Sequence, residues 1–142
     1  DKIDEDLLVV HADNYMEDNL THLLEAHKTR SPQCQMTMLT FTTERPESCG
    51  IVEVNPEGVM TDFHEKQKSP SSRLANAAVY VFSTQLLKRI SLSANKYFDI
   101  SLDILPTLKG QVQTCITHKY FDDVGTLQAL KNVNSFVSRE QK

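Results

Sequence analysis

Leu7-Leu8-Val9-Val10 is an unbroken aliphatic run, and together with the segments after it this run limits the fold more than any other part of the chain. A strand with one wet face alternates, so a continuous run that leads into His11 reads as a strand buried on both faces. Asp13-Asn14 punctuates it. Met16, Leu20, Leu23, Leu24 and His27 then recur at helical spacing, and the helix stops before Ser31-Pro32, because the residue ahead of a proline is driven out of helical geometry. Met36 to Phe41 alternates with Thr37 and Thr40 and reads as the next strand. Strand, helix, strand in that order predicts a parallel pair with a right-handed crossover, and hence an α/β sheet with helices on its faces.

The remaining segments fit that frame. Ile51 to Val54 and Val59 to His64 read as a hairpin around Asn55-Pro56-Glu57-Gly58, where proline suits the second turn position and glycine a left-handed exit. Glu65 to Arg73 is polar, contains Pro70 and reads as a loop. Ala77 to Phe82 is a further strand, and Leu86, Leu87 and Ile90 mark a short helix. Phe98 to Leu108 is helical in tendency, tightened by Pro106 and ended by Gly110. Short strands come next at Val112 to Thr117 and Tyr120 to Val124. A last helix starts near Thr126, with Leu127, Leu130, Val133 and Val137 on one face. With no repeat and no credible linker, residues 1–142 read as a single domain.

Composition removes several function classes. Hydrophobic residues make up 39% and charged residues 24%, a globular balance. No apolar run approaches the roughly 20 residues that span a bilayer, so no membrane partner is expected. The net charge is −4 and the basic residues are scattered, with no stripe to track a nucleic acid backbone. The three cysteines, Cys34, Cys49 and Cys115, are widely spaced and odd in number, which fits a reduced, cytoplasmic setting rather than a disulfide scaffold or zinc site. The five histidines show no ligand spacing, and four glycines leave no room for a glycine-rich phosphate cradle.

Four residues could carry chemistry. Asp13 sits at the C-terminal end of the first strand, the edge where open α/β sheets bind ligands, and could hold Mg²⁺; equally, Asp13 or Asn14 could cap the next helix. Asp123, in Tyr120-Phe121-Asp122-Asp123-Val124-Gly125-Thr126, could share that metal from a distant part of the chain, or could be a turn aspartate ahead of a helix. Glu65 could accept hydrogen bonds from sugar hydroxyls and Lys66 could meet a phosphate as a point charge; the alternative is an exposed pair at a strand end.

Taken in order, these segments resemble the sugar-1-phosphate nucleotidyltransferases. Val9-Val10-His11-Ala12-Asp13-Asn14 resembles that family's strand and metal aspartate. Cys49-Gly50-Ile51-Val52-Glu53-Val54, then Gly58, then Phe63-His64-Glu65-Lys66, resembles its glycine, hairpin and Glu-Lys run. Leu74 to Phe82 is similar to its Asn-Ala-Gly strand, Phe98-Asp99-Ile100-Ser101 with Asp103-Ile104-Leu105-Pro106 to its Asp-Phe and Asp-Val-Leu-Pro helix, and Asp123-Val124-Gly125-Thr126 to its Asp-Ile-Gly-Thr motif. Ser48 to Glu53 and His11 to Asn14 look most like a mannose- or heptose-type guanylyltransferase branch.

The resemblance implies a partial Rossmann-like mixed sheet flanked by helices, and transfer of a nucleoside monophosphate from a nucleoside triphosphate to a sugar-1-phosphate with Mg²⁺. It implies Asp13 and Asp123 as metal ligands, Lys66 as the sugar-phosphate contact, and Gly50, Glu65 and Asn76 as sugar-binding residues. Ala78 stands where many relatives have glycine, Gln67 where proline is usual, and Phe121 where tryptophan is common. Nothing matches the family's glycine-rich, arginine-bearing start, so an N-terminally truncated domain is expected. Either the chain works with further sequence or a complementing N-terminal fragment, or it is a non-catalytic sugar-phosphate-binding or interaction module. An all-apolar first strand left at an edge is a pairing hazard, so homo-oligomerisation is expected too; a strictly monomeric sedimentation mass at high concentration would sink that idea.

Overall fold

The computed structural model describes residues 4–92 and 97–140; residues 1–3, 93–96 and 141–142 lie outside it. In chain order the elements are β1 (Leu7–Val10), β2 (Asn14–Met16), α1 (Thr21–Thr29), β3 (Met36–Thr42), β4 (Gly50–Val54), β5 (Met60–Glu65), β6 (Leu74–Phe82), α2 (Thr84–Ser91), β7 (Val112–Ile116), β8 (Phe121–Asp123) and α3 (Leu127–Glu140). Among the described residues, six strands form one mixed sheet in the order β5-β4-β6-β3-β7, with β1 also on β6, and β2 pairs with β8 separately.

The long strand β6 organises the sheet. One edge pairs antiparallel with β3 from Phe82 to Leu74; the other meets β4 at Ala75 and β1 from Phe82 to Val79. The expected parallel pair of β1 and β3 is therefore corrected. Both run antiparallel to β6, so they point the same way, but β6 lies between them. The parallel neighbour of β3 is β7. Tyr80 and Phe82 pack with Met36, Met38, Leu86, Leu105 and Val112, while Val79 and Val81 pack with Leu23 and Leu39. Both faces of the central strands are thus covered, and even Thr37 and Thr40 are fully buried.

Local chemistry explains the hairpin and caps. The Asn55 carbonyl oxygen accepts from the Gly58 N–H at 2.9 Å, the Asn55 side chain accepts from Glu57 and Val59, and Gly58 has φ 73°. Ser83 caps α2 by accepting from the Leu86 N–H, and Thr126 caps α3 by accepting from the Ala129 N–H.

Four further expectations change. β1 is not buried on both faces: Leu7, Leu8 and Val10 are each about 40% exposed, on a strand with β6 on one edge. The first helix starts at Thr21, with Met16 already in β2. Phe98 to Leu108 becomes a π-helical turn (Ile100–Ile104) running into a 3-10 turn (Leu105–Leu108), since Pro106 has no N–H to continue a regular helix. On α3 the buried positions are Ala129 and Val133, whereas Leu127 is 80% exposed and Leu130 is exposed as well.

One buried group makes stability pH-dependent. His27 lies with Nδ1 2.8 Å from the Thr37 hydroxyl and Nε2 3.1 Å from the Asp6 carboxylate. Burial, helped by the Arg30 charge, lowers the His27 pKa below 6.5 although Asp6 pulls the other way. The unfolded chain therefore protonates first on acidification. The His27 contribution is complete above about pH 6.5 and is lost as the pH falls below it. Burial raises the Asp6 pKa, but hydrogen bonds from Thr84 and His27 bring it net below 3.8, so its contribution is lost only in a more acidic window. The urea midpoint is expected to fall between pH 7.5 and 5.5, and His27→Gln to flatten that slope. Equal slopes in both proteins would contradict the assignment.

Candidate functional site

The site forms where β1 ends and β6 buckles. Met38 pairs with Tyr80 and Thr40 with Asn76, so two steps along β3 are matched by four along β6. The extra residues make a bulge, a device that re-aims side chains at sheet sites. Within it Ala78 has φ 52°, a left-handed conformation that costs an L-residue about 1–2 kcal/mol. The Cβ of Ala78 is therefore carried as backbone strain. The bulge is pinned from outside: the Asn14 side chain donates to the Ala77 carbonyl at 2.7 Å, and the His11 N–H donates to the Ala78 carbonyl at 3.2 Å.

Pairing of β2 with β8 brings the two candidate metal aspartates together. Asn14 lies opposite Asp123, and the Val124 N–H donates to the Asp13 carbonyl at 2.8 Å. Neither Asp13 nor Asn14 caps α1; its N-terminus is bonded instead by Asp18, which accepts from Leu20 N–H, and by Asn19, which accepts from Thr21 N–H. Both aspartates, Asp13 and Asp123, are exposed. Asp123 accepts from the Gly125 N–H through Oδ1 at 2.8 Å, which leaves its second oxygen for a ligand.

On the opposite wall β4 and β5 pair Gly50 with Glu65. A Cβ at Gly50 would sit 2.6 Å from the Phe63 ring and 2.8 Å from the Glu65 carboxylate, so only glycine lets that carboxylate lie against the strand. Lys66 comes next with φ 47°; its N–H donates to the Cys49 carbonyl at 3.2 Å, and its ammonium stands 3.8 Å from Glu65. Strain of this kind in a non-glycine residue persists where surroundings over-determine it.

Asp13, Gly50, Glu65, Lys66, Asn76 and Asp123 all line one cavity of about 240 Å³. Among the other lining residues, His11, Phe41 and Ser101 have no role assigned from the sequence. Ser101 lies in the π-helical turn, which has no period to read. A second chamber of about 270 Å³ shares Phe41, Cys49, Phe121 and Asp123 and opens onto Arg45 and Thr126.

Among the described residues, three carboxylates face a single ammonium in the first cavity. A phosphate entering it would meet more negative than positive charge. Among the described residues no cluster of three or more His, Cys, Asp or Glu side chains could form a cage of protein ligands. Two exposed carboxylates are the donor set suited to Mg²⁺, which keeps several waters and takes its remaining ligands from substrate phosphates. Among the described residues no helix is long and apolar enough to cross a membrane.

Residues 1–140 match the family model described as nucleotidyl transferase. A glucose-1-phosphate adenylyltransferase of Bacillus subtilis is 29% identical over 141 residues, which is 94% of this chain and 37% of that protein. One from Thermotoga neapolitana is 28% identical over 136 residues, covering 90% and 32% respectively. The chain thus spans about a third of the length of these curated relatives. A Bacillus anthracis crystal structure, provisionally described as a glucose-1-phosphate thymidylyltransferase in complex with sucrose, superposes with a TM-score of 0.78 at 18% identity over 93% of this chain and 54% of that one. At that identity the likeness is one of fold: the same mixed, helix-flanked, Rossmann-like sheet.

Proposed function

This chain belongs to the nucleotidyl transferase family, and from that premise we propose that its cavity takes the sugar-1-phosphate in transfer of a nucleoside monophosphate from a nucleoside triphosphate. One observation carries the reading. Six residues from five separate stretches of chain, including both aspartates, converge on the walls of one small cavity. In this reading a phosphate oxygen of the sugar phosphate attacks the α-phosphorus of the triphosphate, the bond to the bridging oxygen breaks, and pyrophosphate leaves.

The chain's own residues bind and orient. Glu65 accepts from sugar hydroxyls, Gly50 lets the backbone approach the ring, and Asn76 supplies a neutral amide. Lys66 holds the phosphate, and positioning of this kind is worth several kcal/mol of barrier. Asp13 and Asp123 would hold Mg²⁺, which when bound neutralises phosphate charge beside an otherwise acidic wall. The open β1 strand favours docking of a further strand, from a second copy or from a complementing segment that brings the triphosphate.

Titration calorimetry with mannose-1-phosphate, glucose-1-phosphate, GTP and dTTP, each with Mg²⁺, tests the proposal. A sugar phosphate is expected to bind more tightly with Mg²⁺ than without it, and neither triphosphate to bind this chain alone. Asp123→Asn should remove the Mg²⁺ dependence. Ranking the two sugar phosphates reads the sugar preference. Failure of both to bind would sink the proposal.

A further inference from the structure

Asn76 is the one neutral amide among the proposed acceptor-site residues, and its two ends are chemically different. Oxygen only accepts and nitrogen only donates. Which end faces a ligand decides what the residue recognises, and the bulge in β6 settles that.

The backbone N–H of Ala78 can only donate, and it lies 2.9 Å from the Asn76 side-chain oxygen. That contact fixes which end of the amide is oxygen. It is an i to i+2 side-chain turn, common for asparagine, and here it holds a residue at φ 52°. The nitrogen is then 2.7 Å from the phenol oxygen of Tyr80, which must accept. Tyr80 is fully buried between β1 and β3 at the centre of the sheet. Burial, only partly offset by its hydrogen bonds to Asn76 and Ser101, pushes its pKa up to about 12, so the group facing Asn76 is a neutral phenol. The edge of His11 closes one side, with ring centroids 6.5 Å apart.

Two of the amide's four hydrogen-bonding positions are thereby used inside the protein. A rotation that offered oxygen to the cavity would break both and would set nitrogen against a backbone N–H. We propose that Tyr80 is a positioning residue for the acceptor site: by accepting from Asn76 it locks the amide, so that Asn76 offers a ligand its remaining N–H and acts as a donor to a ring hydroxyl oxygen. The inference rests on the sugar-phosphate reading of the cavity. A hydroxyl rather than the phosphate is the matching partner. Lys66 already provides charge for the phosphate, and a hydroxyl can accept from Asn76 while donating to the acceptor-only Glu65, which lines the same cavity.

Two measurements test this. In the wild-type chain one proton of the Asn76 side-chain amide is expected to exchange slowly and to resonate downfield in a nitrogen-resolved NMR spectrum. Tyr80→Phe, which removes one oxygen, should abolish both properties. Calorimetry of the two proteins with mannose-1-phosphate, glucose-1-phosphate and their singly deoxygenated analogues, with Mg²⁺, then reads the consequence. Tyr80→Phe should weaken the preferred parent sugar phosphate by about 5-fold, the worth of one hydrogen bond. That penalty should vanish for one deoxy analogue, the one that lacks the hydroxyl Asn76 serves. An equal penalty on every analogue, or an unchanged amide signal, would overturn the positioning role and reduce Tyr80 to a packing residue. If the wild-type chain binds no sugar phosphate, the reading of the cavity itself fails and takes this inference with it.

Discussion

Gly50→Ala is expected to destabilise the chain by about 2 kcal/mol and to abolish sugar-phosphate binding together. The added methyl would meet the Phe63 ring at 2.6 Å and 2.9 Å and the Glu65 carboxylate at 2.8 Å. Glu65 alone could swing outward, since its side chain is 28% exposed. Phe63 cannot, because it is 6% exposed and packs in the core beside Met60 and Val52. Either the ring moves and opens the core, or β4 moves away from β5 and pulls Glu65 off the cavity wall. Gly110→Ala is the matched control. Gly110 has φ 75° but nothing within 4 Å of an added Cβ, so it should cost about 1 kcal/mol of strain and leave binding untouched. Thermal melts resolve the pair, at roughly 2–4 °C per kcal/mol for a chain of this size. A Gly50→Ala protein with wild-type stability would mean that the close contact relaxes at no cost.

Legibility in the sequence divides by the range of the physics. The Asn55-Pro56-Glu57-Gly58 turn was legible because its bonds are made within five residues. The insertion of β6 between β1 and β3 was not. Pairing of strands this far apart in sequence depends on a competition that no local pattern records. On α3, helical spacing pointed to Leu127, Leu130, Val133 and Val137; Val133 is buried as expected, but its buried companion is Ala129 rather than Leu127 or Leu130. A small alanine allows close approach where a leucine does not. Asp13 was ambiguous between a helix cap and a ligand position because β2, only three residues long, carries no period; its pairing with β8 removes the cap. The site residues quoted from motifs all line the cavity. His11 and Ser101 stood inside quoted motifs but were given no role, because one lies just past a strand end and the other in an irregular turn.

Lys66 should separate stability from function with opposite signs. Its φ of 47° is strained for any residue with a Cβ. Lys66→Gly removes about 1–2 kcal/mol of that strain, and the greater freedom of glycine in the unfolded chain returns about 0.4–1 kcal/mol. The net is a chain as stable as wild type or more stable by up to about 1.6 kcal/mol. The same change deletes the only ammonium on the cavity wall among the described residues. A charge-assisted bond to phosphate is worth about 1.5–3 kcal/mol, but this side chain is 69% exposed and screened. The expected loss of sugar-phosphate affinity is therefore about 10-fold at physiological salt and nearer 100-fold at low salt. Lys66→Met keeps the strain and loses the charge, so it should lose affinity equally while gaining no stability. Urea melts and calorimetry on the two variants, each at two salt concentrations, separate the effects. If Lys66→Met binds as wild type does, the ammonium has no part in holding phosphate. If both variants lose affinity but Lys66→Gly alone gains stability, the strained turn is a cost the fold carries in order to set that charge on the cavity wall.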